Sequence, residues 1–221
     1  MLKTLAKYAA LVTLLSTATA QALPIIEADA FTAGDNQAMQ DTTSGLIWMD
    51  HGVNSSKSFN QVVSELDTTY KDWRLPTQQE VVGLYTTLFA HQPGYQQREN
   101  WWAGWDALQQ SPVTEEFKSI FTVFGTNLFF APDQPYNWSW FLDSSNQLQS
   151  MSFYITDDFN APGNLIGVAS LCCFNYGINY DNQRDEAGWT TLLVRKDVPE
   201  PSPLILLGLG LLGLGLNRKR I

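Results

Sequence analysis

Five features of the chain have residue types and spacings that could do chemistry. Cys172 and Cys173 are adjacent, and they are the only cysteines in 221 residues. Two thiols invite a redox reading. Successive Cα atoms across a trans peptide, however, lie about 3.8 Å apart, below the roughly 4.4–6.8 Å of an ordinary disulfide. A vicinal bridge therefore needs a strained turn, and in a strand the two side chains point to opposite faces. Three states stay open: one buried and one exposed thiol, a vicinal disulfide, or a bridge to another chain. Asp181, Asn182, Asp185 and Glu186 form a loop of oxygen ligands that could serve Ca²⁺, which takes six to eight oxygens. The loop lacks EF-hand spacing, and the same residues also read as a solvated acidic loop. Trp101, Trp102 and Trp105 could stack on sugar faces or plug the core. Arg74 and Glu80 could be a catalytic ion pair; their place at a helix start instead favours capping and a structural ion pair. His51 and His91 are far apart, and no Ser sits in a nucleophile-elbow pattern, so no hydrolytic triad is expected.

The elements that must position these residues are readable in the first half. Asp41-Thr-Thr-Ser-Gly45 is a turn, and Leu46 to Met49 a strand. Ser58 with Gln61 makes a capping box, and Phe59, Val62, Val63, Leu66 and Tyr70 follow at helical spacing, so a helix is predicted over 58–69. Leu75 precedes Pro76 and is pushed extended. Thr77 with Glu80 makes a second capping box, and Val81, Leu84, Tyr85 and Leu88 predict a helix over 78–89. His91 to Pro112 reads as a long loop. Glu115 to Phe124 reads as a third helix, with Phe117, Ile120, Phe121 and Phe124 on one face. Strands are predicted at Trp138–Leu142, Leu148–Ile155, Leu165–Phe174 and Trp189–Val194. Early helices and late antiparallel strands argue an α+β fold of two to three helices against a sheet.

The ends read as addresses. Lys3 and Lys7, an apolar run from Tyr8 to Leu15 and small residues up to Ala22 form a secretory signal over 1–22, with cleavage after Ala20 or, preferably, Ala22. Val198, Pro199, Glu200 and Pro201 open the other end, 198–221. An apolar helix is expected over 203–216, and Arg218, Lys219 and Arg220 should stay cytoplasmic. Leu204 to Leu216 would span roughly 20 Å as a helix against a hydrocarbon core of about 30 Å, so it is a marginal, transient anchor. Residues 23–200 keep eight of the 13 basic residues and all 22 acidic ones, a net charge of −14. That body has no footprint for nucleic acid and should be repelled by anionic lipid.

The tail resembles the PEP-CTERM sorting signal of Gram-negative bacteria. The resemblance implies recognition by an exosortase, removal of the tail near Pro-Glu-Pro, and export to the cell surface or an exopolysaccharide matrix. Within the body, Thr-Ser-Gly-Leu-Ile-Trp-Met-Asp, a helix, and then Trp73, Arg74, Leu75, Pro76, Thr77 and Glu80 are similar to the Lcl C-terminal-like family. Arg-Leu-Pro-Thr-x-x-Glu also occurs in the formylglycine-generating sulfatase-modifying family. Both imply a C-type-lectin-like domain over 23–197, with two helices against a twisted antiparallel sheet, paired termini, and Trp189 to Arg195 as the closing strand. The adjacent cysteines depart from the separated pair of the sulfatase-modifying oxidases.

The sequence therefore predicts an exported surface or biofilm-matrix protein that is not an enzyme. It is expected to bind a glycan or another matrix component and to need no cofactor, unless Ca²⁺ occupies the acidic loop. The alternatives are a formylglycine-generating-type oxidase and a purely structural matrix protein.

Overall fold

The computed structural model describes residues 23–95, 108–172 and 188–196. Its order begins with three strands, β1 (Ile25–Ala28), β2 (Ala38–Asp41) and β3 (Leu46–Met49). Helices α1 (Phe59–Ser64) and α2 (Gln78–Phe89), strand β4 (Leu108–Pro112) and helix α3 (Glu115–Val123) follow. The second half is β5 (Leu128–Ala131), β6 (Gln134–Leu142), β7 (Leu148–Asp158), β8 (Ala161–Cys172), β9 (Thr190–Thr191) and β10 (Val194–Lys196).

These strands make two sheets. One has the order β1-β2-β3-β10, antiparallel throughout. The other runs β4-β8-β7-β6-β5, with β9 also paired to β6. The fold is thus α+β with two antiparallel sheets and few helices. The strand expected over Trp189–Val194 divides in two. Its first part, β9, lies parallel to β6; its second, β10, is antiparallel to β3. The division has a packing cause. Leu192 and Leu193, both fully buried, point into different apolar clusters, Leu192 with Trp48, Phe89 and Phe153 and Leu193 with Met49, Val62 and Trp73. The backbone changes partner between them: the Leu192 N–H donates to the Trp140 carbonyl of β6 at 2.9 Å, and the Leu193 carbonyl accepts from the Met49 N–H of β3 at 3.0 Å. The first and last strands share a sheet, but β10 pairs with β3 and not with β1.

Capping chemistry sets the helix starts. Ser58 accepts from the Gln61 amide and Gln61 accepts from the Ser58 amide; Thr77 and Glu80 do the same for α2. Helix α2 runs over the residues its periodicity indicates, and Val81, Leu84, Tyr85, Leu88 and Phe89 face the core. Helix α1 is shorter than the expected 58–69 and ends at Ser64. Beyond it the chain closes in turns, and the Ser64 and Thr68 hydroxyls bond carbonyls three residues back, at Gln61 and Glu65. Such local bonds compete with helix propagation. Trp48 is fully buried and Trp73 nearly so. Strand β4 occupies the end of the predicted loop from His91 to Pro112.

Candidate functional site

Strand β6 has a period-two pattern that sorts its side chains. Asn137, Ser139 and Phe141 go to one face, where Phe141 joins Phe153, Met151 and the helices in the main core. Tyr136, Trp138 and Trp140 go to the other. Across the ladder, that second face continues through Tyr154, Ser152 and Ser150 of β7 and Val168 and Ser170 of β8. The result is a band of aromatic rings interleaved with hydroxyls. The Tyr136 and Tyr154 rings stack at 4.7 Å and 20°. Trp138 lies 5.7 Å from Tyr136. Trp189 stacks on Trp138 at 4.1 Å and sits 4.4 Å from Trp140. The Ser152 and Ser170 hydroxyls share a hydrogen bond of 2.8 Å.

The band runs outward onto the short strand β5. The Phe130 ring meets Tyr136 edge-on at 4.8 Å, yet Phe130 is 68% exposed and its neighbour Phe129 64%. Burial, followed by the neighbouring Tyr154, raises the Tyr136 phenol far above the ordinary tyrosine range, while a hydrogen bond with Ser152 opposes the rise. Tyr136 therefore stays a neutral hydrogen-bonding phenol.

A buried polar layer holds the band in place. The Asn54 amide bonds both the N–H and the C=O of Thr191, at 2.8 and 2.9 Å. Asn127 exchanges bonds with the Trp138 backbone and also reaches the Thr190 hydroxyl. Asn137 accepts from the Asn127 amide and donates to the Gly125 carbonyl. These bonds fix β9 beside β6 and so seat Trp189. Gly188 makes the approach possible: its φ is +100°, and a Cβ there would lie 2.3 Å from Leu128 Cδ2.

The Arg74 guanidinium grips Glu80 with two N–H groups at 2.6 and 2.8 Å. Glu80 also accepts from the Thr77 N–H and hydroxyl, and the Arg74 bond, ahead of the opposing effect of burial, helps hold its carboxyl down at about 2. The Arg74 backbone exchanges two bonds with Val194 of β10. The six residues Trp73, Arg74, Leu75, Pro76, Thr77 and Glu80 thus join the start of α2 to the closing strand.

His51 is sealed, 3% exposed, with its ring edge-on to Phe124 at 4.4 Å and to Phe153 at 5.4 Å. Burial, opposed by a backbone bond to Phe124, lowers its pKa to about 3, so the imidazole is neutral. His91 lies at the surface, 3.0 Å from Glu116. The two histidines thus occupy unlike environments, one in the core and one in a surface pair. An open groove of about 510 Å³ between Lys118, Asp158 and Asn164 has no aromatic ring in its lining. Among the described residues no group of three or more His, Cys, Asp or Glu is placed to hold a metal ion. Nor is any helix among them long and apolar enough to cross a membrane.

Several sequence candidates lie outside the described residues: Trp101, Trp102 and Trp105, Asp181, Asn182, Asp185 and Glu186, Cys173, the signal segment 1–22, and the tail with Val198, Pro199, Glu200, Pro201, Arg218, Lys219 and Arg220. Cys172 closes β8 in register with Ser150. The band itself had a legible sign, since Tyr136, Trp138 and Trp140 alternate with Asn137 and Ser139.

No solved structure and no curated protein matches the chain. Residues 197–220 match the family of the PEP-CTERM protein-sorting motif, and that motif indicates a protein of Gram-negative type that an exosortase sorts to the outside of the cell.

Proposed function

We propose that the body, residues 23–197, is a non-catalytic binding domain displayed at the cell surface or in the exopolysaccharide matrix, and that its ligand is a matrix glycan. The observation that carries this is the aromatic band from Trp189 through Trp138 and Tyr136 to the exposed Phe130 and Phe129. Aromatic faces stack on the C–H faces of sugar rings, and the band offers its exposed end, Phe129 and Phe130, while the buried Tyr136, Trp140, Ser150 and Ser152 support it from beneath. A neutral band suits a neutral sugar on a body whose residues 23–197 carry a net charge of −13. The layering of helices against antiparallel strands, together with the Trp-Arg-Leu-Pro-Thr-x-x-Glu junction, supports a relation to C-type-lectin-like domains of the Lcl C-terminal-like kind. In this reading the exosortase releases the tail after transient membrane insertion of the apolar segment 203–216. No resident cofactor is needed, and Ca²⁺ at Asp181, Asn182, Asp185 and Glu186 is a variable for the test.

The test is a glycan array run on residues 23–197, with and without Ca²⁺, alongside the F129A/F130A double variant. Binding to a matrix polysaccharide that the variant loses, at unchanged thermal stability, supports the reading. A body that retains no glycan under either condition removes it.

A further inference from the structure

The register of the four-stranded sheet puts the start of its first strand and the end of its last strand at one end of the sheet. Ile25 pairs with Asp41, Asp41 with Leu46, and Leu46 with Lys196, so the first residue of β1 and the last of β10 share a row. Three strand spacings separate them, about 14 Å. The chain entering β1 is pinned at that same end. Thr42 donates its N–H and its hydroxyl to the Pro24 carbonyl, at 2.9 and 3.0 Å, and Leu23 packs against the core. In sequence, the secretory signal therefore precedes, and the sorting tail follows, the strand ends that meet at this end of the sheet.

Among the described residues of this row, the exposed groups are hydroxyls and one amine. Its turn exposes Thr42, Thr43 and Ser44, and its corner exposes the Lys196 amine. The carboxylate of this row, Asp41, is 2% exposed and tied to the Thr43 and Ser44 amides and the Ser44 hydroxyl. The opposite end carries Asp29 and Asp35 in the loop between β1 and β2. Seven residues lie between Lys196 and Leu204, the start of the apolar segment, and the eight Cα-to-Cα steps reach at most about 28 Å. A folded body on so short a leash lies against the bilayer. The chain leaves the body at Lys196, so the leash keeps that end of the sheet nearest the headgroups, with Asp197 and Glu200 belonging to the tether.

We propose that the end of the sheet formed by Ile25, the Thr42–Ser44 turn and Lys196 is the face that the folded body presents to the lipid surface while its tail is still attached. This rests on the tail-insertion reading given above. Sorting then acts on a body held in one orientation.

The experiment uses the full uncleaved chain, reconstituted in vesicles of phosphatidylethanolamine and phosphatidylglycerol with a quencher on the headgroups. A fluorescent amino acid is placed singly at Thr43, at Ala33 in the opposite loop, or at Leu211 in the apolar tail. The expected result is loss of most fluorescence at Thr43 and Leu211 and little loss at Ala33. Equal quenching at Thr43 and Ala33, or stronger quenching at Ala33, with Leu211 quenched, overturns the orientation alone. An unquenched Leu211 removes the tail-insertion reading, and the orientation falls with it.

Discussion

The Arg195 guanidinium lies over the Trp73 ring, 4.8 Å from its centroid, and donates to the carbonyls of Asp29 and Ala30 at 2.7 and 3.1 Å. One side chain thus ties the closing strand β10 to the residue before Arg74 and to the loop after β1. A planar fork can stack and donate at once, and a lysine ammonium cannot reproduce both. Arg195→Lys is expected to cost about 1–2 kcal/mol in urea unfolding, although the charge is kept. An unchanged midpoint would show that the stack contributes nothing.

The second capping box predicts a local loss. Glu80 serves the Thr77 amide, the Thr77 hydroxyl and Arg74 together. Glu80→Gln keeps a capping acceptor but loses the charge; Glu80→Ala loses both. The expected order of stability is wild type, then Gln, then Ala, with Ala down about 1–2 kcal/mol. Arg74 is partly exposed, so high salt should narrow the gap between wild type and Gln. A Gln variant no more stable than Ala would place the whole effect in the ion pair.

These motifs show what is legible in the chain alone. Capping boxes, turn residues and apolar periodicity are local signals, and they locate α2, α3 and β3. The strands β1 and β2 carry no such signal. Each is four residues long, and they are held together by a loop in which Asp35 accepts from the amides of Ala30, Phe31, Thr32 and Gln37. Burial works against that carboxylate's charge, but the four donors outweigh it and hold its pKa well below the usual range. Nothing in Asp-Ala-Phe-Thr-Ala-Gly-Asp announces that nest. The division of Trp189–Val194 is hidden for another reason: Leu192 and Leu193 look alike in sequence and differ only in which core they fill. The aromatic band, finally, needs register. Trp189 reaches Trp138 through a parallel pairing that no local pattern encodes.

Gly125 allows two backbones to meet. Its φ is +71°, and a Cβ there would lie 2.8 Å from the His51 carbonyl oxygen and 3.3 Å from Asp50 Cβ. The neighbouring Phe124 carbonyl accepts the His51 N–H at 3.0 Å. Both the dihedral and the clash oppose a side chain, so Gly125→Ala is expected to lose more than about 2 kcal/mol. Gly34, also at positive φ (+84°), has open space where a Cβ would go. Gly34→Ala should pay only for the dihedral, and comparable losses in the two variants would disprove the role of close approach.

Asp50 and His51 give the protein opposite pH dependences. Asp50 is 8% exposed, and one carboxyl oxygen has no hydrogen-bond partner. Burial first, then Glu27 and Asp35, push its pKa from 3.8 up to about 8. The folded protein therefore holds a proton that the unfolded chain releases above 3.8. Its contribution to stability is full below that value and is lost progressively as pH rises to about 8. His51 runs the other way. Its folded pKa of about 3 lies under the 6.5 of the unfolded chain. The unfolded state takes up the proton first, so stability is lost as pH falls from 6.5 to about 3. Asp50→Asn keeps the shape and removes the titration. Each tenfold difference in proton affinity between the folded and unfolded carboxyl is worth about 1.4 kcal/mol, so the variant should exceed wild type by at least about 2 kcal/mol at pH 8. The gap should nearly close by pH 4, where the unfolded carboxyl is itself close to half protonated. Urea unfolding of the pair from pH 4 to 9 measures this directly. A gap that stays constant with pH would mean that Asp50 is ionised in the folded protein and that its burial is satisfied in some other way.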